Sequence, residues 1–223
     1  MKKQATIVDT VYYTNLLPGR EYTVTGELRN KKTGYPISIG GKRLTGSTTF
    51  TPTSSEGSVD VLITFDASVL EGVTVVAFET LTYKEIEIAV HADINDEGQT
   101  VYIPKVRTSA IDKTTKINHT EATSKEATIV DTVSYEGLEV GREYTVKGGL
   151  MNKRTKKAVH IDGKEVTAQT TFTAETRDGS VEVVFTFDAT ALEGTTTVVF
   201  ETLYTENKEV AIHADITDKK QTV

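Results

Sequence analysis

Apolar and polar side chains alternate with a period of two along much of the chain, in short runs that stop at turn-forming residues, the pattern of half-buried β-strands. The runs 143–148, 180–187, 195–203 and 209–216 show it most clearly. Asp162-Gly163 and Asp178-Gly179 fall between such runs and predict hairpin turns, because Asp and Gly tolerate the positive φ angles of tight turns. The stretch 67–72, Ala-Ser-Val-Leu-Glu-Gly, predicts a single helical turn ending at its glycine. No helical heptads compete with the strand pattern, and Thr, Val and Tyr are plentiful. The expectation is an all-β chain built as immunoglobulin-like β-sandwiches.

The alternation is written twice. Ala-Thr-Ile-Val-Asp-Thr-Val at 5–11 recurs at 127–133, an offset of 122 that holds without a gap to the end of the chain. Gly-Arg-Glu-Tyr-Thr-Val at 19–24 recurs at 141–146. His-Ala-Asp begins at His91 and again at His213, each time ahead of a Gln-Thr-Val that starts at Gln99 or Gln221. This is a tandem duplication, with domains expected at 1–104 and 105–223. The second copy is preceded by an extended piece, Lys-Val-Arg-Thr-Ser-Ala-Ile at 105–111, and a polar linker. Nothing upstream in the first copy corresponds to that piece, so its opening strand is expected to be missing.

Composition narrows the chemistry. A net charge of -7 and a pI near 5.2 argue against nucleic acid or an anionic membrane as partner. With no cysteine, disulfides and thiol chemistry are excluded. No apolar run is long enough to span a bilayer, and no signal peptide or wall-sorting tail is present. Met1-Lys2-Lys3 therefore reads as the start of an excised fragment. Asp93, Asn95, Glu97 and Gly98 have a spacing reminiscent of a calcium loop, but Pro104 stands where the closing Glu belongs, so the expectation is a solvated turn and no metal. Cofactors are not indicated. Asn118-His119-Thr120 is a glycosylation sequon.

Strand alternation also assigns faces, and two carboxylates per copy fall on the apolar side. Asp131 shares a face with Ile129, Val133 and Tyr135, as Asp9 does with Ile7, Val11 and Tyr13. Glu201 lies with Val199 and Leu203, and Glu79 with Val75, Ala77 and Leu81. A buried carboxylate is costly unless it is protonated, paired or hydrogen-bonded, and two in contact can share one proton. His213 lies with Glu209, Ala211 and Asp215, at the rim of the core.

These motifs resemble the VaFE repeats, the Thr-Gln ester-bond domains of Gram-positive surface adhesins. Val76-Ala77-Phe78-Glu79 and Val198-Val199-Phe200-Glu201 nearly spell the repeat's name. The resemblance implies a covalent ester between the first and last strands, formed when a threonine hydroxyl attacks a glutamine amide and ammonia leaves. Carried over, Thr108 joins Gln221, assisted by Asp131, Glu201 and His213. His213 is expected to act as base, and the carboxyl pair to donate to the Gln221 carbonyl. In the first copy Asp9, Glu79, His91 and Gln99 match, but the threonine is absent; Thr6 and Thr10 lie on the wrong face. Gln99 is expected to stay unlinked unless a Thr-bearing strand arrives in trans. The implied protein is a monomeric stalk repeat of a cell-wall-anchored extracellular adhesin. Its partners are other repeats of the same surface protein, and its chemistry is a single self-modification without turnover. The alternative is a ligand-binding adhesion module without a cross-link.

Overall fold

The computed structural model describes residues 4–121 and 123–223. The chain divides into two compact units, 1–103 and 104–223. The first unit contains β1 (Gln4–Tyr13), β2 (Tyr22–Asn30), β3 (Ser38–Ile39), β4 (Lys42–Arg43), β5 (Thr45–Phe50), β6 (Gly57–Asp66), β7 (Thr74–Tyr83), β8 (Ile86–His91) and β9 (Thr100–Tyr102). The second contains β10 (Lys105–Asp112), β11 (Ala127–Glu136), β12 (Glu143–Asn152), β13 (His160–Ile161), β14 (Lys164–Glu165), β15 (Thr167–Thr173), β16 (Gly179–Phe187), β17 (Thr197–Thr205) and β18 (Lys208–His213). The protein is all-β, as the alternation predicts.

The second unit is a sandwich of a three-stranded sheet, β10-β11-β16, and a four-stranded sheet, β15-β12-β17-β18. In the first unit the equivalent sheets are β1-β6 and β5-β2-β7-β8, with β9 also on β7. Every pairing is antiparallel. Inward residues of facing strands form each core: Ile129, Val133, Val183 and Phe185 meet Val146, Leu150, Val199 and Leu203. Val61, Ile63, Val24, Leu28 and Val75 do the same in the first unit. A tyrosine latches each second strand to the preceding turn, Tyr22 Oη accepting from Leu17 N at 3.1 Å and Tyr144 Oη from Glu139 N at 3.0 Å.

Two local expectations need correction. Asp162 and Gly163, both at positive φ, do turn the β13-β14 hairpin. Asp178-Gly179 makes no hairpin: Gly179 already pairs with Tyr135 in β16, and the chain before it crosses from the sheet of β15 to the other sheet. Period-two patterning marks both strands but does not say whether they share a sheet. The last run also ends early, since β18 stops at His213 and residues 214–220 form turns closed by Asp215 and Asp218 side chains. The 67–72 stretch is a short 3-10 turn, Ala67–Val69, capped by Asp66, with Gly72 at φ 76°.

Gly148 opposes Glu201 on the neighbouring strand. A Cβ at Gly148 would lie 2.6 Å from the Phe185 ring, whereas one at the equivalent Gly26 would meet Val61 and Ile63 methyls at 3.3 Å. Overpacking a filled core typically costs about 1–3 kcal/mol. Gly148→Ala should therefore destabilise the second unit by that order in denaturant unfolding, and Gly26→Ala the first by clearly less. Equal costs would contradict the packing described.

Candidate functional site

Four polar side chains converge in the middle of the second sandwich. Thr108 stands on β10, Asp131 on β11, Glu201 on β17, and Gln221 on the terminal segment that pairs with β17 through Val199 N and Gln221 O at 3.0 Å. Alternation turns Val106, Thr108 and Ala110 inward from β10 while Arg107, Ser109 and Ile111 stay exposed. The β10-β11 register sets Ala110 opposite Asp131 and Thr108 opposite Val133. A small residue thus faces the buried carboxyl and leaves it room. Asp131 and Gln221 have no exposed surface, Glu201 has 1% and Thr108 6%.

The polar contacts form one chain. Thr108 Oγ1 donates to Glu201 Oε2 at 3.1 Å, and Gln221 Nε2 donates to Asp131 Oδ1 at 3.2 Å. Between them the Asp131 and Glu201 carboxyls are hydrogen-bonded to each other. Asp131 Oδ2 and Glu201 Oε1 are buried and have no other donor. A proton held between the two carboxyls satisfies both oxygens, since two bare carboxylates would repel in a dry site. Burial, then the hydrogen bond and charge of Asp131, pushes the Glu201 carboxyl up to about 11. Burial also pushes Asp131 up, opposed by hydrogen bonds from Glu201 and the Ser109 backbone and by the His213 charge.

His213 occupies the rim opposite Glu201 in the β17-β18 register, with Nε2 2.9 Å from Asp218 Oδ2. The Thr108 hydroxyl points to Glu201, and His213 lies opposite Glu201 with its own bond to Asp218. Asp131 meets the amide nitrogen of Gln221, while Gln221 Oε1 is buried without a donor. These contacts are not the ones the sequence expectation paired, because alternation assigns faces and cannot order atoms within a cluster. Asp218 was not anticipated; its signal was the repeated five-residue step from His213 to Asp218 and from His91 to Asp96.

In the first unit Asp9 and Glu79 are buried at 6% and 3% and hydrogen-bonded to each other. Burial first, and the Asp9 contact second, pushes Glu79 up to about 8. His91 bridges Glu79 Oε2 and Asp96 Oδ2, both at 3.1 Å. His91 Nδ1 thus holds the oxygen that in the second unit accepts from Thr108. Gln99 is half-exposed; Thr6 and Thr10 face solvent and bond to Thr64 and Asp60. Asp93 accepts from Asn95 N in a surface turn, and the described residues contain no cluster of potential metal ligands.

A family described as "T-Q ester bond containing domain" matches residues 1–103 and again 104–223. No curated protein matches. Among solved structures, a bacterial adhesin from Mobiluncus mulieris, described as containing intramolecular disulfide, isopeptide and ester bond cross-links, is 20% identical with a TM-score of 0.45. That alignment covers 54% of this chain and 56% of the adhesin, so the chain spans little more than half its length. A glycosyl hydrolase family 2 member from Bacteroides cellulosilyticus is 8% identical with a TM-score of 0.38, covering 94% of this chain and 28% of that one.

The shared proton makes stability depend on pH. An unfolded Glu201 loses its proton near 4.5 and the folded one near 11, so between those values the folded state holds the extra proton and stability falls as pH rises. In a Thr108→Val background, which cannot esterify, the melting temperature should drop from pH 5 to pH 9. Adding Glu201→Gln should flatten that slope, and an unchanged slope would exclude the shared proton.

Proposed function

The chain belongs to the T-Q ester bond containing domain family, and from that premise we propose that its second unit joins Thr108 to Gln221 by an ester that it forms itself. The observation that carries this reading is the buried chain of contacts in which the nucleophile and the amide each touch one end of a single carboxyl pair. Thr108 Oγ1 attacks the Gln221 side-chain carbonyl carbon; the C–O bond forms, the C–N bond breaks and ammonia leaves. The hydroxyl proton passes to Glu201 Oε2, to which it already points. A proton leaves the pair through Asp131 to the departing nitrogen, and the pair returns to holding one proton. The pair thus carries one negative charge at rest and none while it holds the hydroxyl proton, and His213, held by Asp218, stands at the rim beside it.

Positioning supplies most of the rate. The strand register fixes nucleophile and amide in one dry cluster, and effective molarities of roughly 10⁵–10⁸ M leave little for acid and base to add. The event happens once per molecule and has no turnover.

In the wider proposal the unit is a shaft repeat of a bacterial surface adhesin, anchored to a Gram-positive wall, with neighbouring repeats as its partners. Support comes from the family, from a chain without cysteine that needs another covalent brace, and from the position of the bond. Thr108 and Gln221 lie near the two ends of the unit, so tension entering by β10 leaves through a C–O bond and the sheets between carry little load.

Intact mass tests the bond. Folded wild-type chain should weigh one ammonia less than its sequence, and Thr108→Ala should show the full mass, with proteolysis linking the Thr108 and Gln221 peptides only in wild type. Full mass in the folded wild type would sink the reading. Loss of a cross-link closing so long a loop should lower the second unit's stability by roughly 4–5 kcal/mol.

A further inference from the structure

On one surface the two units differ sharply in charge. The turn after β12 reads Asn-Lys-Arg-Thr-Lys-Lys at 152–157, where the turn after β2 reads Asn-Lys-Lys-Thr-Gly-Tyr at 30–35. Past β18, Lys219 and Lys220 stand where the first unit has Glu97 and Gly98. Four positions thus carry an additional cation in the second unit, one of them in place of an acid, although the whole chain is acidic. The two turns meet at one bond. Lys153 Nζ donates to Thr222 Oγ1 at 3.0 Å, as Lys31 Nζ does to Thr100 Oγ1 at 2.9 Å.

The first unit neutralises this junction and the second does not. Lys31 Nζ lies 2.6 Å from Glu97 Oε1, whereas the same two positions in the second unit hold Lys153 and Lys219, a pair of like charges. Among the described residues, none of Lys153, Arg154, Lys156, Lys157, Lys219 and Lys220 has a carboxylate within ion-pair distance. The acids of the closing turn are engaged elsewhere. Asp215 accepts from the Thr217 backbone and hydroxyl, and Asp218 from Lys220 N while it contacts His213. The hairpin turn is fixed in shape, Asn152 Oδ1 accepting from Arg154 N and Thr155 N, and Asn152 O from Lys156 N. Lys156 sits at φ 57°, a left-handed conformation that costs a lysine more than it costs Gly34, its equivalent at φ 74°. Stability alone favours the first unit's residues at both turns, so the cations serve something other than the fold.

Their surroundings specify the ligand. A cleft between the hairpin and the loop 193–196 is lined by Asn152, Lys153, Arg154, Glu193, Thr195 and Thr196, with no apolar or aromatic side chain. Single-stranded nucleic acids are held by stacking bases on aromatics, and the aromatic of the first unit's turn, Tyr35, is replaced here by Lys157. What the surface offers is repeated positive charge for anions, beside amide, hydroxyl and carboxylate groups that pair with hydroxyls. We propose that this end of the second unit binds an acidic polysaccharide, with its sulfate or carboxylate groups on the six cations and its ring hydroxyls on Asn152, Glu193, Thr195 and Thr196. The site lies outside the buried carboxyl cluster and does not depend on the ester.

The test titrates fluorescently labelled dextran sulfate with the full chain and reads anisotropy, with uncharged dextran of equal length beside it. Dextran sulfate should bind and uncharged dextran should not, and affinity should fall steeply as salt rises from about 50 to about 300 mM. Lys156→Gly with Lys157→Tyr, and separately Lys219→Glu with Lys220→Gly, give the second unit the first unit's residues. Each pair should weaken binding roughly tenfold or more without lowering the melting temperature, because each relieves strain or repulsion. Lys147→Glu with Lys208→Glu is the control, since these lysines lie opposite Thr202 and Thr205 while the junction adjoins Thr197. It removes more positive charge, yet should change affinity by less than about twofold. Thr108→Ala, which cannot form the ester, should bind as the wild type does, so loss of the ester and loss of the site are read separately. An equal loss in the control pair would show general attraction without a site, and polyphosphate of matched charge binding as tightly as dextran sulfate would assign the surface to phosphate. Either result, or no binding of dextran sulfate, overturns the proposal.

Discussion

One proton between Asp131 and Glu201 is what the second unit is built around. The two carboxyls come from opposite sheets, β11 and β17, so their hydrogen bond crosses the sandwich at the most buried level of the core. Leaving both ionised there would cost several kcal/mol per ion in lost hydration. Sharing one proton removes one charge and satisfies two buried oxygens at once. Small residues make room for it: Gly148 opposes Glu201 and Ala110 opposes Asp131. The remaining oxygens of the pair accept from the Thr108 hydroxyl and the Gln221 amide, with the Ser109 backbone also bonded to Asp131. The arrangement of the cluster follows from the need to keep two buried carboxyls from both being charged.

Much of this was legible before any coordinates. Period-two alternation located the main strands, the 122-residue offset located the duplication, and the polar residues on apolar faces were Asp9, Glu79, Asp131 and Glu201, all of which are buried. Three things were not legible. Sheet membership was hidden, because β15 and β16 have the same local pattern as a hairpin yet belong to different sheets. Atom-level order inside the cluster was hidden as well, because which carboxyl meets the hydroxyl and which the amide depends on rotamers set by both sheets together. Asp218 was missed because it lies in an irregular turn after β18, where no periodicity assigns a face.

The duplication works as an internal comparison. The carboxyl pair, the histidine and its aspartate are present in both units, so none of them distinguishes the second site from the first. What distinguishes them is one strand. With β10 in place, Glu201 Oε2 receives a hydroxyl, the histidine side chain is 21% exposed and the glutamine is fully buried. In the first unit, where the described residues include no counterpart of β10, Glu79 Oε2 bonds to His91, whose side chain is 49% exposed, and Gln99 is half-exposed. The equivalent glutamate oxygen thus takes a histidine in one unit and a hydroxyl in the other.

The same comparison shows how a strand arms the acid. Burial is the leading cause of the raised value at both glutamates, and the value is about 8 at Glu79 and about 11 at Glu201. The less buried pair of the first unit holds its shared proton less firmly than that of the second. A seated strand excludes water, weakens the charged form and holds the proton in place. The strand that covers the second unit's glutamine therefore also raises the cost of ionising the carboxyl pair beside it.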